Sequence, residues 1–358
     1  MHFILYLVGF FVGLSKIDLK ILGFVCEKGA QMPEREIARQ LRLKQSTVAY
    51  SVKKMRRERA ILRYNYRLNY PLLGFGATAW VLFKLRPGIA NGQNPELAGA
   101  ELFARLLSFP QVHVVSFVTG EHDLSLKLIE KDVAAINSFV LRLATEMNDV
   151  IDSPEIMYCA KMFKTHNVLL EEPKKRPALD KADFEILNCK MLHPDAGVRE
   201  IAEMLSLHRN TVSKRWKMLW KEKILLKKTP VLNPEYYDEL GIGLKAVIFF
   251  EVNAGSLNAA VEKLAAMPEV HELNHVLSGQ DLMAIVRAKN VPALFGFLKK
   301  IYVMPGMKQT KSMIVLYSQP HKSNYLMELS RAGLLPFKLS EHEAGNNGNG
   351  NSSRKQGK

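Results

Sequence analysis

The sequence REIARQLRL at residues 35–43 returns, with few changes, as REIAEMLSL at residues 199–207. The match extends in both directions and in the same order. Upstream, IDLKIL (17–22) corresponds to ADFEIL (182–187); downstream, LGFG (73–76) corresponds to LGIG (240–243) and PQVH (110–113) to PEVH (268–271). Because several anchors recur in one order, the sequence predicts two copies of one structural unit in a single chain.

Each copy opens with three short segments whose apolar residues recur at helical spacing. In the first copy these segments cover residues 17–25, 33–41 and 45–59, and a turn at 42–44 separates the last two. The second copy repeats the pattern with its turn at 206–208. Two short helices around a tight turn are typical of the helix-turn-helix motif, whose second helix enters the major groove of DNA. We call these two predicted three-helix units the first and second readers.

The outward residues of the third helix in each reader suit contact with duplex DNA. Arg can bind guanine bidentately, Asn or Gln can do so with adenine, and other basic residues suit phosphates. The predicted DNA-binding residues are Gln45, Ser46, Thr47, Tyr50, Lys53, Lys54 and Arg57 in the first reader, and Arg209, Asn210, Thr211, Ser213, Lys214 and Lys217 in the second. A three-helix protein-interaction module is the alternative interpretation of the same pattern.

Positive charge is concentrated in the two readers. The chain of 358 residues has a formal net charge of +15. Residues 16–63 contribute +8 of this excess and residues 180–228 contribute +4. Charge that serves only solubility would be spread more evenly, so double-stranded DNA is the partner that this distribution favours.

After each reader the pattern changes to strands and helices in the order βαββαβ. Alternating stretches at 60–68 and 223–232 predict a short wing or hinge strand first. The following segments, 77–169 and 244–317, have the order of the ferredoxin-like split βαβ fold. The predicted fold class is therefore α+β, with two winged helix-turn-helix domains alternating with two ferredoxin-like effector-type domains.

The predicted domain organisation follows from these boundaries. It comprises an apolar N-terminal extension (1–13), a first helix-turn-helix domain (14–70), a first ferredoxin-like domain (71–170) and a linker (171–179). A second helix-turn-helix domain (180–234), a second ferredoxin-like domain (235–320) and a C-terminal tail (321–358), disordered from about residue 340, complete it.

The N-terminal segment and the cysteines bear on the cellular compartment. Residues 1–14 carry no charged side chain, but they are too short to span a bilayer comfortably and lack the basic start of a signal peptide. Cys26, Cys159 and Cys189 show no CxxC spacing, which argues against disulfides and a zinc site. We expect a cytoplasmic, nucleoid-associated protein that has no membrane partner, bound metal or cofactor.

The motifs, taken in this order, resemble the Lrp/AsnC (leucine-responsive, feast/famine) family of transcription regulators over about residues 14–318. The resemblance implies sheets that pair, here as a pseudo-dimer within one chain, and leaves higher homo-oligomers open. It also implies an amino-acid effector bound near a Gly-x-x-Asp hairpin. By that likeness, Gly120, Asp123, Gly279 and Asp281 are candidate effector-site residues. The alternative interpretation is a hairpin turn with a capping Asp.

Three features depart from the family pattern. Arg42 and Ser206 stand where the family usually has Gly in the reader turn, so a positive φ there would cost about 1 kcal/mol. Lys44 and His208 replace the usual N-cap Ser of the third helix, which predicts a lost cap. The second hairpin is one residue shorter than the first, which places its effector site in doubt.

Two other functions fit the same pattern. Sirohaem decarboxylases resemble this family in fold, and His113, His122, His271 and His275 lie in the region that such an enzyme would use. The His-Asn-Tyr run associated with those enzymes is absent from this sequence. A small-molecule-binding module without DNA binding is the second alternative. Neither a Ser/His/Asp pattern nor a Gly-rich phosphate motif occurs, so we assign no catalytic residues and expect a regulator rather than an enzyme.

Overall fold

The computed structural model describes residues 13–86, 95–152, 154–172, 177–320 and 325–340, with side chains of the helix at 95–107 described from residue 99 onward. Apart from Gly13, the predicted apolar extension lies outside these residues. The tail beyond residue 340 and most of the loop between residues 87 and 95 also lie outside them.

The first reader contains the three predicted helices, α1 (Lys16–Lys28), α2 (Glu34–Leu41) and α3 (Gln45–Arg57). The side chain of Ser15 accepts a hydrogen bond from the backbone of Asp18, and Asp18 bonds back to Ser15, which forms a capping box at the start of α1. The apolar residues at helical spacing, including Ile21, Val48 and Met55, are fully buried. The strand β1 (Ile61–Leu68) follows α3.

The first ferredoxin-like domain has the predicted βαββαβ order. Its elements are β2 (Ala77–Phe83), α4 (Pro95–Leu107), β3 (Val112–Val118), β4 (Leu124–Glu130), α5 (Val133–Glu146) and β5 (Glu155–Thr165). The prediction of one continuous last strand as far as residue 169 is wrong at its end. His166 and Asn167 adopt left-handed φ values of 48° and 64°, and the chain turns back into the short strand β6 (Val168–Leu169).

The second copy repeats this sequence of elements. Its reader consists of α6 (Lys181–Leu192), α7 (Val198–Met204), α8 (Arg209–Lys221) and the strand β7 (Leu225–Leu232). Its ferredoxin-like domain consists of β8 (Leu244–Val252), α9 (Leu257–Ala266), β9 (Val270–Leu277), β10 (Leu282–Ala288), α10 (Val291–Tyr302) and β11 (Met307–Pro320).

The strand that follows each reader pairs with its counterpart from the other copy. β1 and β7 form an antiparallel two-stranded ribbon in which Asn65 lies opposite Thr229. Each reader also packs on the other copy: Tyr236 joins the core of the first reader, and Phe75 joins the core of the second. The readers are therefore held by crossed contacts between the copies.

The two ferredoxin-like sheets close into one barrel of the order β2-β4-β3-β11-β8-β10-β9-β5. The long strands β5 and β11 make the closure. The first half of β5 pairs with β2, and its second half crosses to β9; β11 likewise pairs first with β8 and then with β3. The predicted pseudo-dimer within one chain is thus present in the fold.

Alternating side chains along these strands fill three cores. One face of each sheet packs against its own two helices, α4 and α5 in the first copy and α9 and α10 in the second. The other faces meet inside the barrel, where Trp80, Val118, Val247, Phe249 and Met283 are buried together. The barrel interior is thus an interface between the two copies.

The first part of the C-terminal tail predicted at residues 321–358 is ordered. Residues 325–340 form the helix α11 (Tyr325–Arg331) and a following segment that fold back onto the second reader. Leu326 and Leu329 are fully buried, and the Phe337 ring packs at a tilt against Phe184 of α6 with centroids 5.8 Å apart. No motif marked this segment, because its apolar residues find their partners only in the folded second reader.

Candidate nucleic-acid interface and effector pocket

The tight turn of each reader has the geometry expected from the family pattern, although it lacks Gly. Arg42 has φ of 56° and Ser206 has φ of 52°, both in the left-handed region. In each turn the next residue closes the motif: the backbone of Leu43 donates to the Ala38 carbonyl, and that of Leu207 donates to the Ala202 carbonyl, both at 2.9 Å. The turn is therefore preserved at a cost of about 1 kcal/mol for each non-Gly residue.

The N-caps of the two recognition helices, α3 and α8, differ. Lys44 provides no side-chain cap, as predicted. His208 does provide one, because its Nδ1 accepts a hydrogen bond from the Asn210 backbone at 3.2 Å. The predicted loss of a cap is therefore wrong for the second reader, where an imidazole nitrogen does the work of a Ser hydroxyl.

Most predicted DNA-binding residues of α3 lie on its solvent face. Tyr50 is 65% exposed, and the Arg57 side chain is 70% exposed, with its guanidinium 3.4 Å from the carboxylate of Glu58. Gln45, Ser46 and Lys53 are also exposed, and Thr47 is half-buried. If α3 served for packing within the protein, Tyr50 would be buried. The exposed face of α3 is therefore available to another molecule.

Lys54 does not lie on that face. Its Nζ is 2.8 Å from Oδ2 of Asp18. The Asp18 side chain is buried within the first reader, and its Oδ1 also accepts a hydrogen bond from the Ser51 hydroxyl. Burial acts to raise the pKa of Asp18, but the hydrogen bonds from Lys54 and Ser51 outweigh it and lower the pKa to about 2. Lys54 is thus a structural residue that ties α3 to α1, although sequence spacing placed it among the phosphate contacts.

The second reader holds the equivalent carboxylate differently. Arg215 donates from Nη1 to Asp183 and from Nη1 and Nη2 to Asp180, each at 2.8 Å. Its other predicted residues are open to solvent: Arg209, Asn210, Thr211, Lys214 and Lys217 are exposed, and Ser213 is half-buried. None of the basic residues of α8 that are predicted to contact DNA takes part in these ion pairs.

Direct contacts between the readers set their relative position. Arg56 of α3 donates from Nη2 to Oδ2 of Asp195 at 2.6 Å, and within the second copy Lys228 of β7 lies 3.4 Å from the other oxygen of that carboxylate. Tyr66 of β1 donates to the Pro194 carbonyl at 3.3 Å. Together with the β1–β7 ribbon, these contacts hold the two recognition helices as parts of one body.

The Asp side chain of each hairpin accepts a hydrogen bond from a backbone N–H group. Oδ2 of Asp123 accepts a hydrogen bond from the Leu85 backbone at 2.9 Å, and Oδ2 of Asp281 accepts one from the Val252 backbone at 2.7 Å. Both carboxylates therefore cap the end of the neighbouring strand, and the shorter second hairpin keeps this contact. These two side chains therefore have the contacts expected of a capping Asp in a hairpin turn.

The two hairpin glycines, by contrast, line a shared pocket at one mouth of the barrel. Gly120 and Gly279 border a cavity of about 350 Å³, which is within the usual range for small-ligand sites. The lining residues are Leu82, Gly120, Glu121, His122, Glu155, Met157, Phe249, Gly279, Gln280, Lys311, Ser312 and Met313. Of the four predicted effector-site residues, the structure thus brings the two glycines together and directs the two Asp carboxylates elsewhere.

The four histidines singled out in the sequence do not form one site. His122 borders the mouth pocket, with Nε2 3.2 Å from a Glu155 oxygen. His113 lines a separate cavity of about 30 Å³ at the reader end of the barrel, which has room for about two water molecules. His271 is half-buried, and burial together with the charge of Arg287 lowers its pKa to about 3. His275 lies on β9 opposite Leu282.

The helices and the His, Cys, Asp and Glu side chains of the described part of the chain bear on membranes and metals. None of its helices is both long and apolar enough to traverse a bilayer. Among the same residues, no cluster of three or more His, Cys, Asp or Glu side chains is arranged to hold a metal ion.

Family models match both kinds of domain. Residues 14–61 match a winged helix-turn-helix DNA-binding model, and residues 245–325 match the Lrp/AsnC ligand-binding domain. The HTH-type transcriptional regulator FL11 of Pyrococcus horikoshii is 31% identical over 141 residues, which are 39% of this chain and 91% of that protein. The regulator of the same name from Pyrococcus furiosus gives the same identity over the same length.

A solved structure resembles the tandem architecture. The sirohaem decarboxylase NirDL, in complex with an iron-uroporphyrin III analogue, superposes with a TM-score of 0.57 over 88% of this chain and 97% of its own. The sequences are 12% identical, so this likeness concerns the fold alone. The regulators, by contrast, match in sequence over nine-tenths of their length, and on that evidence the chain belongs to the Lrp/AsnC family, in a form that carries the family's unit twice.

Proposed function

We propose that this protein is a sequence-specific transcription regulator whose α3 and α8 dock into successive major grooves of double-stranded DNA. The observation that carries the proposal is the pair of solvent-exposed, cationic recognition helices held in one body by contacts between the readers. Lys53, Lys214 and Lys217 supply charge at positions suited to phosphates, which set the register of a reader on the duplex.

The two readers present different side chains at the start of the recognition helix. The first offers Gln45 and Ser46, and the second offers Arg209 and Asn210. Gln and Asn suit adenine, whereas Arg suits guanine. The preferred site is therefore an imperfect palindrome with dissimilar halves, whose centres lie about one helical turn or a multiple of it apart.

A binding selection from a random duplex library tests this proposal directly. We expect the selected sequences to contain two unlike half-sites at a constant spacing. The Arg209→Ala/Asn210→Ala variant is expected to lose sequence preference at one half-site only, and Lys263→Ala, an exposed Lys on α9 far from the readers, serves as the control. A perfectly symmetric consensus, or no enrichment at low salt, would contradict the proposal.

The remaining features of the proposal concern partners and location. We propose that an amino acid or another small effector modulates DNA binding, since the family model matched at residues 245–325 describes a ligand-binding domain. We place the protein in the cytoplasm, associated with the nucleoid, because its proposed partner is there. Assembly of pseudo-dimers into a higher homo-oligomer is testable by light scattering with and without DNA.

The enzyme alternative rests on the shared fold with a sirohaem decarboxylase. The regulator relatives and the helix-turn-helix match favour a protein without catalytic activity. His113 and His122, two of the histidines considered for an enzyme, line separate cavities. Purified protein that showed tetrapyrrole absorbance and no affinity for duplex DNA would favour the enzyme.

A further inference from the structure

The interior of the barrel is apolar near the mouth and becomes charged toward the readers. Val247 and Phe249 of β8 and Ile285 of β10 belong to the apolar part. Side chains of a strand alternate between its two faces, so Lys245, two residues before Val247, and Arg287, two residues after Ile285, also face the interior. These two cations lie directly opposite each other on adjacent strands, at the reader end of the barrel.

The first copy carries no charge at the equivalent positions. Counted from the repeated Leu-Gly-x-Gly motif, Thr78 corresponds to Lys245, and Thr78 lies opposite Ile129 just as Lys245 lies opposite Arg287. Like charges directly opposite each other in a sheet destabilise it. Because the first copy forms the same strands without these charges, the fold itself does not require the two cations of the second copy.

A third cation approaches the same end of the barrel from the ribbon. Arg67 of β1 donates from Nε to the Thr229 hydroxyl of β7 at 3.1 Å. Burial lowers the pKa of Arg67, and the charges of nearby groups, Glu272 and Tyr237 among them, oppose this shift. The guanidinium of Arg287 lies over the ring of Tyr237, 5.8 Å from its centroid. Arg67 and Arg287 therefore have Tyr237 as a common neighbour.

Neutral oxygens are the hydrogen-bond partners of these cations. Lys245 donates from Nζ to the Ser318 hydroxyl at 3.0 Å, and Arg287 donates from Nη1 to the Ile242 carbonyl at 3.2 Å. Among the residues that the structure describes, Lys245, Arg287 and Arg67 have no carboxylate partner. Each guanidinium thus keeps N–H groups that an anion can accept from.

The carboxylate nearest to this cluster does not neutralise it. Glu272 of β9 is paired with Lys127 of β4, so the negative charge of Glu272 is already balanced. Lys245, Arg287 and Arg67 are half-buried rather than enclosed, and solvent therefore reaches them. The reader end of the barrel combines reduced hydration with three positive charges, and both features strengthen the attraction of an anion.

We propose that the reader end of the barrel binds one small oxyanion with two negative charges per chain, held by Lys245, Arg287 and Arg67. The two guanidinium groups offer forked donors to pairs of oxygens, and the ammonium group supplies a point charge. An inorganic dianion such as sulfate or phosphate and a short dicarboxylate share this chemistry. The repeat gives one such site, because the first copy has Thr78 and Ile129 instead.

The bound oxyanion would connect the ribbon to the barrel. Arg67 belongs to the strand that leaves the first reader, whereas Lys245 and Arg287 belong to the second ferredoxin-like domain. A ligand that contacts all three fastens the ribbon, and through it the readers, to the sheet of the second copy. Only this regulatory consequence rests on the proposed function, since binding of the oxyanion is measured without DNA.

Isothermal titration of the full-length protein at about pH 6, with the ionic strength held constant by sodium chloride, tests the proposal. Sulfate, phosphate and succinate are the probes, and acetate is the control with a single charge. We expect at least one dianion to bind with a stoichiometry of one per chain, and acetate to bind at least about tenfold more weakly. Binding of sulfate and phosphate alone identifies a tetrahedral anion, and binding of succinate alone identifies a dicarboxylate.

Variants that introduce the residues of the first copy assign the site. Lys245→Thr and Arg287→Ile are each expected to weaken the bound dianion about tenfold or more and to abolish the rise in Tm that the dianion gives the parent. Lys245→Arg, which keeps the charge, should retain binding. Lys263→Thr removes an exposed Lys of α9 and is the matched control that should behave as the parent.

The pH dependence of sulfate binding provides a separate readout. Burial and the charge of Arg287 lower the pKa of Lys245 to about 7. Sulfate remains a dianion above this pH, so its binding has to be accompanied by proton uptake, and its affinity should fall by up to about tenfold for each pH unit above 7. Lys245→Arg should remove this dependence. The charged or titratable groups around Lys245 are Arg287 of β10, Glu272 and His271 of β9, and Lys127 of β4.

The outcomes separate this inference from the proposed function. No heat of binding from any dianion, acetate that binds as tightly as the dianions, or affinities unchanged in both Lys245→Thr and Arg287→Ile would overturn the inference. Fluorescence anisotropy with duplex DNA is measured on the same samples. Protein that binds DNA but no dianion lacks only this site, and protein that binds a dianion but no DNA contradicts only the proposed regulator function.

Discussion

Lys127 of the first copy and Glu272 of the second form a buried ion pair inside the barrel. Lys127 lies on β4, where the equivalent residue of β10 is Ile285, and Glu272 lies on β9, where the equivalent residue of β3 is Val114. The two charges therefore meet only when a first copy faces a second copy. A barrel made of two first copies would bury Lys127 without a Glu partner, and a barrel made of two second copies would bury Glu272 without a Lys partner.

Breaking this pair should destabilise the barrel more than removing it. Lys127→Met removes the ion-pair partner of the buried Glu272 carboxylate, which also accepts a hydrogen bond from the Asn274 amide at 3.4 Å, and we expect a loss of about 3–5 kcal/mol in the free energy of unfolding. Lys127→Met/Glu272→Leu should recover most of that loss, since two apolar residues can replace a buried pair. Urea denaturation of the two single variants and the double variant gives the cycle. Strictly additive losses would show that the pair contributes no coupling.

Lys53 and Lys54 are neighbours in sequence but should respond differently to replacement. Lys53→Ala is expected to lower the salt dependence of DNA binding, with the slope of log K against log [salt] falling by about 0.9 for one lost phosphate contact. Lys54→Ala should instead lower the stability of the first reader, because it leaves the buried Asp18 without its cation.

Anisotropy titrations at several salt concentrations, together with thermal unfolding, distinguish these two roles. Lys28→Ala is a suitable control, since Lys28 is an exposed Lys at the far end of α1 that pairs with its neighbour Glu27. An unchanged salt slope in the Lys53→Ala variant would show that Lys53 does not contact the DNA.

Asp18 should make the first reader sensitive to acid. Its pKa in the folded protein is about 2, below the usual 3.8, so the ionised carboxylate stabilises the reader above about pH 4. This contribution is lost as the pH falls from about 4 to about 2, because the unfolded chain then binds a proton that the folded state does not take up until about pH 2.

The variant Asp18→Asn tests that acid dependence. At pH 7 it should unfold more readily than the parent, by about 1–3 kcal/mol for lost hydrogen bonds to a charged group, and the difference should shrink below pH 4. Circular dichroism melts from pH 2 to 7 measure it. Glu27→Gln, an exposed carboxylate on the same helix, is the control, and a difference that stayed constant with pH would contradict the assignment.

Replacing Arg42 with Gly should stabilise the first reader. Arg42 holds φ at 56°, a conformation that Gly adopts without a Cβ clash, so Arg42→Gly is expected to raise the free energy of unfolding by about 0.5–1 kcal/mol. Gln40→Gly, two residues earlier and inside α2, should lower it by about the same amount. Chemical denaturation that ranked these variants in the opposite order would show that the turn is not strained.

Local patterns predicted most of the fold. The internal repeat predicted two copies of one unit. Helical spacing of apolar residues predicted α1 to α3 and α6 to α8 to within a few residues, and alternating apolar residues predicted the βαββαβ order. These features depend on near neighbours in sequence, so periodicity reveals them. The exposed residues of the recognition helices were also predictable, because the inner face of each helix was marked by its apolar positions.

The sequence by itself determined the repeat, the helices and the strands, and with them the charged faces of the two readers. Only the tertiary structure decided which partners distant residues find: the ion pair of Lys54 with Asp18, the docking of residues 325–340 on the second reader, and the meeting of Glu155 and Lys311 at one pocket. The reason is physical. Spacing along a chain fixes the side of an element on which a residue lies, whereas the residue opposite it depends on how elements far apart in sequence pack together.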